Sequence, residues 1–143
     1  MKRSFPSLLN IFLLSIFPIS LFSSDWSHFR GPKGNAVAEN SKPPTVLNAD
    51  TNLKWKTTLA SGHSSPIQFR DRLILNASEG KNQITYAINI EDGRIAWENR
   101  ITVKKVERYQ KTNNAAPSTP VTDGKWVYVY HPSFGLVAYD YKG

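Results

Sequence analysis

The chain has 143 residues, 40% hydrophobic and 12% aromatic, enough for a folded core within the size of one small domain. Its formal charge of +7 comes from cations scattered through turns and strands. They form no basic stripe interleaved with aromatics, so nucleic acid is not an expected partner. The absence of cysteine excludes a disulfide framework, a zinc ribbon, a thiol nucleophile and lipoprotein-type acylation.

The N-terminus, MKRSFPSLLNIFLLSIFPISLFSSDW, opens on Lys2 and Arg3, runs apolar from Leu8 to Phe22 and exits through Ser23 and Ser24. Two cations, a short apolar run and a small-residue exit predict a signal peptide over residues 1–23, with cleavage after Ser23 or Ser24. A membrane anchor needs roughly 20 apolar residues, and Pro18 breaks the run. The expectation is export to the periplasm or the extracellular space, with no transmembrane span after the leader is removed. Without Lys2 and Arg3 the balance is 16 basic to 11 acidic residues, a modest +5.

Residues 24–52 read as an entry segment. From 53 to 143 the pattern is of short strands: LKWKTTL (53–59), RLIL (72–75), ITYAINI (84–90), WVYVY (126–130) and LVAYDY (136–141). Asp92-Gly93 and Asp123-Gly124 are turn pairs, since glycine accepts positive φ at no steric cost. No window beyond the leader has a helical period, so the expected class is all-β.

The chain also repeats itself. SSPIQFRDRLIL (64–75) lies over STPVTDGKWVYV (118–129) without a gap, placing Ile67, Leu73 and Leu75 on Val121, Val127 and Val129. YAINIEDG (86–93) resembles LVAYDYKG (136–143), whose turn is one residue shorter. LKWKTTL resembles IAWENRI (95–101), which makes Trp55 and Trp97 equivalent. A period of this size with about four strands per copy suits a β-propeller blade.

Ala87, Asn89, Gly93, Arg94 and Trp97 follow a spacing similar to the tryptophan-docking motif of the quinoprotein-like (PQQ-like) β-propeller repeat, Ala-x-Asp-x-x-x-Gly-Lys-x-x-Trp. Asparagine stands here for the aspartate and arginine for the lysine. DWSHFRGPKGNAVAE (25–39) and HPSFGLVAYD (131–140) resemble stretches of secreted members of that family. The resemblance implies a propeller of four-stranded antiparallel blades, of which only about two are present. A ring needs about four or more, so the chain is read as the N-terminal part of a longer protein. On this reading KWKTTL is the strand that completes the last blade of the ring, pairing with a partner absent from this chain. The motif is then packing and not chemistry: Gly93 turns the third strand into the fourth, and Ala87 leaves room for a tryptophan between blades.

The resemblance leaves two function classes. One is an exported binding or scaffold module with a protein or carbohydrate ligand. The other is part of a pyrroloquinoline-quinone-dependent alcohol or sugar dehydrogenase, whose quinone and calcium sit at the ring centre. No catalytic residue and no metal ligand is assigned, and no cofactor is expected in this chain itself; the quinone and calcium are possible in the complete protein. His28, His63 and His131 are too far apart for a metal motif and read as loop or interblade hydrogen-bonding residues. GPKG (31–34) reads as a turn, and Asn76-Ala77-Ser78 is a chance glycosylation sequon. The polar loop RYQKTNNAAPSTP (108–120) is the one ligand-loop candidate.

Overall fold

The structure, a computed structural model, describes residues 26–39 and 41–143. The expected leader lies outside the described residues. Among these there is no helix, and the strands form two antiparallel sheets that do not close into a barrel. The first sheet is a meander of β1 (Ile67–Phe69), β2 (Arg72–Glu79), β3 (Asn82–Asn89) and β4 (Ile95–Thr102). The second is a meander of β5 (Val121–Thr122), β6 (Val127–His131) and β7 (Gly135–Tyr139).

Alternation along each strand decides which side chains face which neighbour. Ile67, Ile74, Ala87 and Trp97 are register partners and form one row across all four strands of the first sheet. With Phe69 they pack against Val127, Val129 and Tyr139 of the second sheet. The opposite face pairs Leu73 with Ile88, Leu75 with Tyr86 and Ala77 with Ile84. Trp55, Leu59 and Ala60 cover it. Residues Gln83 to Ile88 of β3 are therefore buried on both faces. Each fully buried Ile, Val or Phe contributes about 1.5–3 kcal/mol relative to exposure.

The internal repeat reveals how the sheets are stacked. Ile67–Ile74 and Val121–Tyr128, superposed by the gapless self-match, are register pairs in their respective sheets. Leu73 and Leu75 of the first sheet turn away from the second, whereas their counterparts Val127 and Val129 turn towards the first. The sheets are thus stacked head to tail, the front of one against the back of the next. The front of the second sheet, carrying Val121, Tyr130 and Leu136, is exposed, Leu136 at 71%.

Two stretches bear on the expected four-stranded units. Residues 53–60, which hold LKWKTTL, join no ladder among the described residues, and the bridge nearby is Ser61 with Ser78. The segment lies across the back of the first sheet, where no strand runs alongside to take its backbone hydrogen bonds. The second sheet has three strands where a complete blade of the expected kind has four.

The entry segment ties the sheets together. The Gln68 amide of β1 donates to the Trp26 carbonyl, and the Thr122 amide of β5 donates to the Ser27 carbonyl, both at 2.9 Å. One dipeptide thus satisfies edge amides in both sheets. A Cβ at Gly31 would lie 2.7 Å from the Trp26 ring, so FRGP is the turn that receives this tryptophan.

Candidate functional site

The motif residues divide between two tryptophan docks. In the first, the Trp55 ring lies on Gly93, where a Cβ would come within 2.6 Å of its ring carbons. Trp55 Nε1 donates to the Ile90 carbonyl at 2.8 Å, and the Thr57 hydroxyl donates to the Gly93 carbonyl at 2.5 Å. Gly93 has φ +71°, a conformation that costs a residue with a Cβ. Asn89 shapes the turn, its side-chain oxygen accepting from the Glu91 amide at 2.7 Å and its carbonyl from the Gly93 amide at 2.9 Å.

In the second dock Trp97 repeats these contacts on the next turn. A Cβ at Gly143 would lie 2.8 Å from the Trp97 ring, and Trp97 Nε1 donates to the Tyr141 carbonyl at 3.1 Å. Asp140 takes the place of Asn89, accepting from the Lys142 amide at 2.7 Å and the Gly143 amide at 3.2 Å. The Trp97 ring is tilted against Tyr139 at 5.5 Å between centroids. Ala87 is its cross-strand partner and is small enough to leave room for it. Asn89 and Gly93 therefore form a socket for the preceding tryptophan, while Trp97 is the plug for the following one. The Arg94 side chain is exposed beside Asp92 and takes part in neither dock.

Beyond the apolar row, the space between the sheets turns polar. Asn76, Gln83, Thr85 and His131 are all buried. The Thr85 hydroxyl donates to Asn76 Oδ1 at 3.3 Å and lies 3.2 Å from His131 Nε2. With that hydroxyl hydrogen committed to Asn76, the neutral imidazole carries its proton on Nε2. The His131 Nδ1 has no partner, nor do the Gln83 amide atoms. Burial pushes the His131 pKa below its ordinary value and that of Tyr139 above. Asn76 also donates to the Ser118 carbonyl at 2.9 Å, so the chance sequon is sealed inside the fold.

The loop candidate lies at this polar end. Residues 103–120 connect β4 to β5, longer than structureless loops usually are inside a compact domain. The loop is fastened at several points. Val103 N donates to the Lys81 carbonyl at 3.0 Å, Glu107 N to Ser133 Oγ at 2.9 Å, and His63 N to the Ala116 carbonyl at 3.3 Å. Asn113 Oδ1 lies 3.2 Å from His63 Nδ1. Residues 107–111, 113–115 and 117, with Pro132 and Ser133 after β6, enclose an open cavity of about 520 Å³.

The remaining candidates are local. His28 Nδ1 lies 3.0 Å from the adjacent Phe29 carbonyl, and His63 serves the loop. Among the described residues no three His, Asp or Glu side chains are gathered so as to hold a metal ion, and no helix is long and apolar enough to cross a membrane. Sequence reasoning missed the Asn76–Thr85–His131 network, whose members are far apart in the chain. It also missed the second socket, although Asp140 and Gly143 repeat the Asn89 and Gly93 pattern. Comparison with protein-family models, curated proteins and solved structures finds no match to this chain.

Proposed function

We propose that the two sheets are consecutive blades of a quinoprotein-like β-propeller, and that the protein is an exported binding or scaffold module working in the periplasm or outside the cell. The observation that carries this reading is the repeated dock. Trp55 and Trp97 each cap the glycine turn of the following sheet, and each donates its indole N–H to a carbonyl of that turn. A head-to-tail contact that recurs with the same handedness closes into a ring when its rotation divides the circle. Residues 53–60, docked through Trp55 but without a ladder partner, sit where the outer strand of a preceding blade belongs. The exposed front of the second sheet is the surface on which a further blade would stack. The pinned loop over the polar end of the interface supports binding as the activity, because anchored loops on a rigid scaffold present preorganised side chains.

Electron microscopy of the protein expressed from its complete reading frame tests the architecture. A ring-shaped particle with a central channel is expected, and a compact two-sheet sandwich overturns the reading. Mass spectrometry of the exported product tests the leader. The mature protein should begin near Asp25, and an intact Met1 on an exported product counts against cleavage.

A further inference from the structure

We propose that the cavity under the 103–120 loop is a binding site for an acidic saccharide, a sugar chain bearing carboxylate or sulfate groups. The proposal rests on the binding-module reading above and gives that module its ligand class. The cavity volume of about 520 Å³ lies inside the usual range for small-molecule sites. Its walls are set before any ligand arrives, since the loop is bonded to the first sheet at Val103, to the β6–β7 turn at Glu107 and to residue 63 at Ala116.

The lining dictates the ligand's chemistry. Arg108 and Lys111 line the cavity with Glu107 as its only acidic lining residue, and Lys104 and Lys105 precede it on the same loop outside the lining. Among the described residues none of these four cations is in an ion pair. Guanidinium and ammonium donors without a protein carboxylate are matched by a ligand carboxylate or sulfate. Tyr109, 54% exposed, presents an aromatic body and a phenol to the same space, and Gln110 adds an amide. One aromatic surface, amides that both donate and accept, and cations together suit a ring with many hydroxyls and a negative group.

The test is calorimetric titration of the full-length protein with tetragalacturonate, with neutral cellotetraose and inorganic sulfate as comparisons. Tetragalacturonate should bind, its affinity should fall as salt is raised, and both comparison ligands should bind at least about tenfold more weakly. The double substitution Arg108→Gln, Lys111→Gln should reduce affinity by about tenfold or more with the melting temperature unchanged, since both side chains are on the loop. No binding by a cooperatively folded wild type overturns the proposal. So does equal affinity for cellotetraose, sulfate or single-stranded DNA, or a salt-independent affinity. A ring seen by microscopy together with no saccharide binding sinks the ligand and spares the propeller; the absence of a ring beside tight, variant-sensitive binding does the reverse.

Discussion

Replacing Gly93 by alanine separates the docking of Trp55 from the conformational demand of the turn. The methyl group meets two separate costs. At φ +71° an L-residue loses about 1–2 kcal/mol from its clash with the neighbouring carbonyl. The new Cβ would also stand 2.6 Å from the Trp55 ring, inside any van der Waals contact, so the indole must lift. Lifting it breaks the Nε1 bond to the Ile90 carbonyl, about 1 kcal/mol, and opens packing worth about 1–3 kcal/mol. The total is about 3–6 kcal/mol, a large share of the stability of a small domain. Gly80→Ala is the control, because Gly80 has φ +58° with nothing within 4 Å of a Cβ, and it should cost only the conformational part. In a Trp55→Ala background Gly93→Ala should likewise shrink to about 1–2 kcal/mol, the difference being the coupling between ring and glycine. Urea unfolding followed by far-ultraviolet circular dichroism measures all four variants without relying on tryptophan fluorescence. Additive effects of Gly93→Ala and Trp55→Ala would refute the dock.

Trp97→Ala removes a ring packed on Tyr139 and the hydrogen bond to the Tyr141 carbonyl, and should lower stability by about 3 kcal/mol in the same assay. His131 should make the fold sensitive to acid. Its folded pKa lies below the unfolded value of about 6.5, so its contribution is complete above that pH and is lost as the pH falls towards the folded value. The slope should reach at most about 1.4 kcal/mol per pH unit, and His131→Gln should flatten it in urea titrations between neutral and mildly acidic pH. Adding pyrroloquinoline quinone and calcium to residues 24–143 should give neither a thermal shift nor dye-linked alcohol oxidation. Stoichiometric quinone binding, or turnover lost on chelation, would move the dehydrogenase reading to first place.

The sheets were legible because their information is local. Alternating residues in ITYAINI and the Asp-Gly turns set β3, β5 and β6 near where they fall. The equivalence of Trp55 and Trp97 was also legible, since each must meet a glycine turn at a fixed spacing. LKWKTTL stays outside both sheets because a strand exists only when a neighbour accepts its ladder, and apolar pattern cannot report whether a neighbour is present. Asn76 read only as part of a chance sequon, and strand alternation points it between the sheets, towards Thr85. The cavity was half visible. Polarity and length marked residues 108–120, but its closure depends on Ser133, His63 and Lys81, contacts that no spacing within the loop encodes.

The socket-and-plug arrangement bears on how such a chain can change length. The first sheet carries a socket at Gly93 and a plug, Trp97, on the following strand, and the second repeats the socket at Gly143, so the two docks ask for the same fit. In the proposed propeller, duplicating one unit would insert a complete junction and leave those on either side unaltered, and deleting one would heal across the gap. Stability then accrues by nearest neighbours, and a substitution at Gly93 weakens one junction without weakening its copy at Gly143. Recombination within the gene can therefore vary the number of units more readily than it can vary the contact between them.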